Sequence, residues 1–352
     1  MTLSLDAHLS AAITSSSDGE NHISVIPDTL LCNVVSHLPV KDAAHTGALS
    51  HRWRGLWRAT PLALDDAHLL SSSVTTAALV TTFLALAEWL GHLADKGVED
   101  LTLINRPFSF DVPVQHPGTL LRCGASLRHF YLGVWLFPFT TNISRGPDVF
   151  PNLQELGLCH GITEERDLEY VLACSPKLET LALISNYSYP DRVRVGSRSL
   201  RCVLLLHSLA DEVAVVSAPS LQRLIIYCTH TSEADGVIKV KLGHAPQLVV
   251  LGYFDTATHQ LEIGNTIIKV LALKVRFRVP KEVRTLLCFL RCFRGVETLH
   301  IMSNNDTDHY DDPGEVKPGD KLNSTFWKGV GPIKCLKSRV KKLVFDHPIQ
   351  SS

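Results

Sequence analysis

Cysteine and histidine are the side chains most often used for metal binding and nucleophilic chemistry, and this chain has nine cysteines and seventeen histidines. No Cys-x-x-Cys occurs. The one close pair, Cys288 and Cys292, has no second pair at zinc-ligand spacing. The GxxxxGK[ST], GxGxxG, HExxH and GxSxG motifs are also absent from the sequence. We therefore expect no catalytic residue, no metal site and no cofactor. Scattered histidines and carboxylates leave open a hydrolase with an unmarked site.

The composition is typical of a folded protein whose partners are not polyanions. The 352 residues are 45% hydrophobic with a formal net charge of −1, which gives no reason to expect nucleic acid or an anionic membrane as a partner. The odd cysteine count and a first basic residue as late as Lys41 favour reduced thiols and no export signal. We expect the cytoplasm, the nucleus or both. The stretch 77–93 has the apolar spacing of a soluble helix rather than a membrane span.

Helix start and stop signals appear abruptly after a Ser-rich, aperiodic beginning, residues 1–22, that we expect to be a disordered tail. Pro27 suits the first turn of a helix, and Pro39 ends it. Asp42 and Ser50 are good N-caps for two further short helices. About 40 residues are too few to form a stable core alone, so these helices imply either a larger helical domain or a partner that covers their apolar side chains.

A repeated apolar-x-x-apolar-x-apolar pattern fills most of the remaining chain. Successive units are mostly 21 to 29 residues apart, the period of leucine-rich repeats, and several begin two residues after a Pro, which suits a strand start. An ordinary α/β domain with irregular strands is the alternative. The units are Val98-Leu101-Leu103, Leu127-Phe130-Leu132, Leu153-Leu156-Leu158, Leu178-Leu181-Leu183, Leu200-Val203-Leu205, Leu221-Leu224-Ile226, Leu248-Leu251-Tyr253, Ile268-Leu271-Leu273, Val296-Leu299-Ile301 and Val340-Leu343-Phe345.

The stretch 26–57 resembles a plant-type F-box. The matching residues are Ile26-Pro27-Asp28, Leu30-Leu31, Val34-Val35, Leu38-Pro39, Lys41-Asp42-Ala43, Leu49-Ser50, Arg52-Trp53-Arg54 and Leu56-Trp57. The resemblance implies docking to a Skp-family adaptor, and through it to a cullin and a RING subunit. By motif position, the residues at or beside this interface are Ile26, Pro27, Leu30, Leu31, Val34, Leu38, Leu49 and Trp53, although some of them must hold the three helices together.

The repeats resemble those of plant F-box proteins of the FBD class, in segments such as FPNLQELGLC (150–159) and SPKLETLAL (175–183). The resemblance implies an α/β fold: a small three-helix F-box, then a leucine-rich-repeat solenoid with a strand and a helical or irregular return per repeat, then a truncated FBD-like C-terminus. The expected divisions are a tail at 1–22, the F-box at 23–62, a linking helical segment at 63–97, repeats at 98–304, an acidic loop at 305–325 and a partial FBD-like segment at 326–352.

Side chains that alternate with the core leucines should face the concave surface of such an array and could bind a target protein. The selected candidates are Tyr131, Trp135, Glu155, Arg223, Tyr227 and Phe254. The two resemblances thus imply a non-catalytic substrate-recognition subunit of an SCF-type ubiquitin ligase, with an unknown protein target. The alternative is a repeat-based interaction scaffold, or a degenerate paralogue without ligase function.

Overall fold

The structure, a computed structural model, divides into two compact units, Met1–Leu64 and Asp65–Ser352. The expected tail and acidic loop lie outside the described residues, apart from residue 22. The structure describes residues 22–38, 40–60, 76–104, 119–135, 137, 146, 149–160, 164–186, 192–231, 236–264, 266–303, 326 and 332–346.

The first unit contains a short 3₁₀ turn, His22–Val25, and three α-helices: α1 (Asp28–Ser36), α2 (Val40–Thr46) and α3 (His51–Ala59). Ser50 caps α3 as expected, because its Oγ accepts a 3.4 Å hydrogen bond from the backbone N–H of Trp53. Among the residues of this unit that the structure describes, the buried apolar side chains are Leu31, Val35, Ala43 and Leu56.

The second unit is built on a ten-stranded parallel sheet, sheet A, in the order β1-β2-β3-β4-β6-β8-β10-β12-β13-β14. Each strand comes from one predicted repeat, so the α/β repeat fold is confirmed. The strands are β1 (Asp100–Ile104), β2 (His129–Gly133), β3 (Glu155–Cys159), β4 (Thr180–Ile184), β6 (Cys202–Leu206), β8 (Arg223–Tyr227), β10 (Val250–Asp255), β12 (Val270–Val275), β13 (Thr298–Ser303) and β14 (Lys342–Asp346).

Strand register places the pattern residues of neighbouring repeats directly opposite one another. The second apolar position of every unit forms one continuous row across the sheet. From β1 to β13 the residues of this row are buried and build the core one layer at a time, whereas Leu343 on β14 is 61% exposed. The row is Leu101, Phe130, Leu156, Leu181, Val203, Leu224, Leu251, Leu271, Leu299 and Leu343.

Four consecutive repeats return through a second parallel sheet, sheet B, ordered β11-β9-β7-β5. The expected return was a helix or an irregular segment, so here the sequence interpretation was incomplete. Strands β5 and β9 alternate polar and apolar residues, and their apolar side chains are buried. Strand β7 instead has three consecutive buried residues, 213–215, followed by the exposed Val216. The strands are β5 (Arg192–Gly196), β7 (Glu212–Ser217), β9 (Ile238–His244) and β11 (His259–Ile263).

Helices replace sheet B toward both ends of the array. Glu282 on one of them is buried and accepts hydrogen bonds from the backbone N–H and Nε of Arg276, at 2.7 and 2.6 Å. No helix among the described residues is long and apolar enough to cross a membrane. The helices are α4 (Thr76–Lys96), α5 (Leu120–Cys123), α6 (Glu165–Cys174), α7 (Pro280–Cys292) and α8 (Lys334–Ser338).

Backbone hydrogen bonds repeat from strand to strand at both ends of sheet A. At the start, the carbonyl of the residue before each strand accepts two N–H groups from the next repeat: Glu99 O accepts from Arg128 and His129 at 2.7 and 3.0 Å. Nine carbonyls, from Glu99 to Glu297, are used in this way. At the other end, residues such as Val134 and His160 have φ of 60° and 47°, and their N–H groups reach the last carbonyl of the next strand.

Candidate protein-interaction surfaces

Helix α1 carries apolar side chains on two adjacent stripes, one buried and one exposed. Leu31 and Val35, one turn apart, are buried in the helical unit. Leu30 and Val34, also one turn apart, are 57% and 53% exposed. Exposed apolar side chains in so small a unit are typical of a protein-binding surface. Together with Leu49, which is 68% exposed, they are called the helical face below.

Arg52 on α3 fixes the segment that leads into α1. Its Nε donates to Oδ1 of Asp28 at 2.9 Å, and its Nη2 lies 2.7 Å from the same oxygen. The guanidinium also donates to the carbonyls of Ile26 and Ile23, the latter at 3.5 Å. One planar cation thus joins α3 to the start of α1 through several hydrogen bonds, a role that its fork of donors suits.

The structure divides the predicted adaptor residues by burial. Leu30, Val34, Leu49 and Pro27 are exposed, whereas Leu31 is in the core; its place at the interface is not supported. The residues predicted from the sequence do not include Val25 and Ile23, which are also exposed apolar side chains. Their only signal was an apolar residue on each side of Ser24, just before the motif. The remaining predicted residues, Ile26, Leu38 and Trp53, are half-buried.

In sheet A, the side chains that point away from the core form rows across the strands. The residues opposite one another on β6 and β8 are Cys202 and Arg223, then Leu204 and Ile225, then Leu206 and Tyr227. All of these are half-buried except Arg223, which is exposed. Because these residues lie between the core positions, they form a surface on the far side of the sheet from the core, called the outward face.

The six predicted target-binding residues do not all lie on this face. Tyr131, Glu155, Arg223 and Tyr227 occupy outward strand positions; Trp135 follows β2 and is half-buried. The prediction for Phe254 was wrong, because its side chain is fully buried.

An irregularity in β10 explains the error at Phe254. The register with β12 shifts between Leu251 and Phe254, so Phe254 pairs with the core residue Leu273. The shift breaks simple alternation and leaves Tyr253 half-buried instead, beside Tyr227.

Aromatic rings continue along one side of the outward face. The ring centroids of His207 and Tyr227 are 5.5 Å apart, and those of Tyr227 and Tyr253 are 5.6 Å apart. Both pairs have interplanar angles of 81°, the edge-to-face arrangement that aromatic rings favour. Of these three residues, the sequence predicts only Tyr227 as a target-binding residue.

Charged groups near the start of β2 and β3 are bonded to each other. The hydroxyl of Tyr131 donates a 2.5 Å hydrogen bond to Oε2 of Glu155, and this bond, with burial adding to it, raises the pKa of Tyr131 to about 12. Nδ1 of His129 contacts Oδ1 of Asp100. At Cys202, burial raises the thiol pKa while the nearby positive charge of Arg223 opposes the rise. These groups show no arrangement for nucleophilic catalysis.

The described part of the chain contains no group of three or more His, Cys, Asp or Glu side chains that could hold a metal ion. Burial raises the pKa of the Cys123 thiol to about 11, and its Sγ contacts the carbonyl of Leu90 at 3.4 Å. It is therefore a structural thiol rather than a reactive one.

Comparison with known families agrees with both units. An F-box domain model matches residues 23–63. A model described as "FBD-associated F-box protein At5g56370, LRR repeats" matches residues 86–301, more than half of the chain. The chain therefore belongs to this family of F-box proteins with leucine-rich repeats, as the sequence predicts.

Similar proteins are found in Arabidopsis thaliana. F-box/FBD/LRR-repeat protein At5g22660 is 25% identical over 288 residues, which cover 74% of this chain and 58% of the relative. F-box/LRR-repeat protein 13 is 24% identical over 246 residues, which cover 59% and 52%. F-box/LRR-repeat protein At3g26922 is 28% identical over 237 residues, which cover 61% and 69%. The chain thus spans little more than half the length of the first two.

Proposed function

We propose that this chain is the substrate-recognition subunit of an SCF-type ubiquitin ligase. The F-box docks a Skp-family adaptor, which connects it to a cullin and a RING subunit, and the repeats bind a protein target for ubiquitination. The chain itself needs no catalytic residue, because holding a target close to a ubiquitin-charged enzyme raises the effective concentration of target lysines.

The observation that carries the proposal is the helical face. Leu30, Val34 and Leu49 are each more than half exposed in a unit whose own core uses Leu31, Val35 and Leu56. Burying three such side chains in a partner's groove would stabilise a complex by several kcal/mol, at roughly 1.5–3 kcal/mol for each fully buried side chain. A self-contained domain would have polar side chains at these positions, and their burial against a partner would not supply this energy.

The deciding experiment is co-purification of the full chain with a co-expressed Skp-family adaptor. The wild-type chain should form a stable complex, and the double variant Leu30→Asp/Val34→Asp should lose it. Ile267→Asp is the matched control, because Ile267 is a 71% exposed aliphatic side chain in the repeat unit. This control should keep the complex.

Retention of the adaptor by the double variant would contradict the docking mode. A wild-type chain that does not bind the adaptor at all would instead favour the scaffold or degenerate-paralogue alternative. Residual helicity of the F-box in the double variant, followed by hydrogen exchange of its backbone amides, distinguishes lost docking from lost folding.

A further inference from the structure

We propose, building on the receptor function above, that the outward face between β4 and β10 binds an extended target segment with one carboxylate beside bulky apolar side chains. The carboxylate would pair with Arg223, and the apolar side chains would pack on Leu204, Ile225 and Tyr227. This assigns a chemical class to the target sequence.

The apolar part of this surface is continuous across neighbouring strands. Leu204 and Ile225 are directly opposite each other, as are Leu206 and Tyr227. Ile184 extends the second of these rows onto β4. All five side chains are half-buried, so each offers a ridge of exposed apolar surface to a partner.

Tyr227 has an aromatic neighbour on each side. Tyr227 is held edge-to-face between His207 and Tyr253 at centroid distances of 5.5 and 5.6 Å. Rings already fixed by their neighbours lose little conformational entropy when they are covered. Such preorganised aromatic side chains are typical of residues that dominate binding energy.

Charge determines which partner fits. The Lys and Arg side chains on the outward face of strands β1–β13 are Lys274 and Arg223. The Nζ of Lys274 lies 3.6 Å from the carboxylate of Asp255. Arg223 is exposed and forms no ion pair with the described residues. It stands between Cys202 and Val250, neither of which carries a compensating negative charge at neutral pH. An incoming carboxylate would satisfy the guanidinium through paired hydrogen bonds.

Dimensions favour a short extended segment. Strands lie about 4.8 Å apart, so β4 to β10 spans roughly 14 Å, the length of about four extended residues. Along β8, Arg223 and Ile225 are two residues apart, about 7 Å. A segment that crosses the strands can therefore place its carboxylate over Arg223 and adjacent apolar side chains over the two rows. Nucleic acid fits poorly, because it requires several cations that follow a phosphate backbone.

The test is selection of a random heptapeptide display library on the full chain bound to its adaptor, with wild-type and Arg223→Glu proteins in parallel. The wild type should enrich peptides with Asp or Glu next to Leu, Ile, Phe, Tyr or Trp. Arg223→Glu should enrich Lys or Arg at the acidic position. A peptide enriched by the wild-type protein, synthesised with a fluorescent label, should bind Arg223→Glu about ten- to hundredfold more weakly than it binds the wild type, as measured by fluorescence anisotropy.

Two controls match the two parts of the surface. Arg192→Glu reverses an exposed arginine on sheet B, and Val216→Ser removes an apolar side chain that is also exposed on sheet B. Both should select and bind the wild-type peptides normally, whereas Leu204→Ser should weaken binding.

The inference is overturned if no peptide class is enriched, or if Arg223→Glu selects the same class as the wild type. Adaptor co-purification is measured separately on each variant, so loss of the ligase role is distinguishable from loss of this site.

Discussion

The imidazole of His259 lies 2.9 Å from the hydroxyl of Thr229, measured from Nε2 to Oγ1, and joins β11 of sheet B to the segment that follows β8 of sheet A. Its Nδ1 accepts the backbone N–H of Asp255 at 2.8 Å, so Nε2 is the protonated nitrogen and donates to Thr229. The ring also contacts Phe254 edge-on, at 5.4 Å between centroids. This arrangement requires a neutral ring.

Acid should destabilise the repeat unit through His259. Burial is the main cause that lowers its pKa to about 4, against the opposing charge of Asp255, while Lys274 and His230 lower it further. The unfolded chain takes up a proton near pH 6.5, so the folded state loses stability as pH falls from about 6.5 toward 4, by up to about 3 kcal/mol. Urea denaturation across this range should show the loss.

His259→Gln should flatten the pH dependence, because it removes the titrating ring. His244→Gln is the control, since His244 is exposed at the end of β9. The interpretation fails if His259→Gln and wild type lose stability in parallel between pH 6.5 and 4.

Truncation of Leu31 should destabilise the helical unit much more than truncation of Leu30. Leu31→Ala removes a core side chain and should cost about 2–5 kcal/mol of helical-unit stability. Leu30→Ala removes an exposed side chain and should change stability by less than about 1 kcal/mol. Hydrogen exchange of the amides between residues 28 and 60 measures both, and equal deprotection by the two variants would contradict the assignment of inner and outer stripes.

Phe254 and Tyr253 form a second such pair. Phe254→Ala opens a cavity in the core and should lower the free energy of unfolding by about 3–5 kcal/mol. Tyr253→Ala should cost distinctly less and should instead weaken peptide binding at the outward face. The denaturation midpoints of the two variants measure this difference. A larger loss of stability for Tyr253→Ala would contradict the burial of Phe254 and would indicate strict alternation along β10.

Gly157→Ala should release Tyr131 from Glu155. A Cβ on Gly157 would lie 2.5 Å from Cδ1 of Tyr131, so the ring must move from its position over the next strand. The hydrogen bond that raises the pKa of Tyr131 to about 12 would weaken, and the pKa should fall toward its ordinary value near 10. Ultraviolet titration of the phenolate measures this, with Tyr131→Phe identifying the signal. An unchanged titration in Gly157→Ala would show that the ring tolerates the methyl group.

Much of the architecture was readable from the sequence because repeated local patterns determine it. The pattern leucines specify register as well as strand position, and Ser50 signals the start of α3 by the same capping chemistry that the structure uses. Sheet B was also present as alternation, in segments such as RVRVG at 192–196, but the shortness of these segments hid the signal.

The inner and outer positions were harder to predict. Leu30, Leu31, Val34 and Val35 form a stripe too wide for helical periodicity to show which half faces the core. At Phe254, one register shift reversed the expected side-chain direction, and no residue pattern signals such a shift. Whether a described carboxylate pairs with Arg223 depends on the neighbouring strands and cannot be read from its own repeat.

The carbonyls that each accept two N–H groups from the next repeat limit how this molecule can change in length. Each carbonyl before a strand, such as those of Arg201 and Gln222, presents the same pair of acceptor contacts to the following coil. Removing residues 202–222 would join Arg201 directly to Arg223. The carbonyl of Arg201 would then take the place of the Gln222 carbonyl and accept the N–H groups of Val249 and Val250. Removing a single residue from a strand would instead reverse its inward and outward side chains. Evolution and protein engineering can therefore lengthen or shorten the array by whole coils far more readily than by single amino acids.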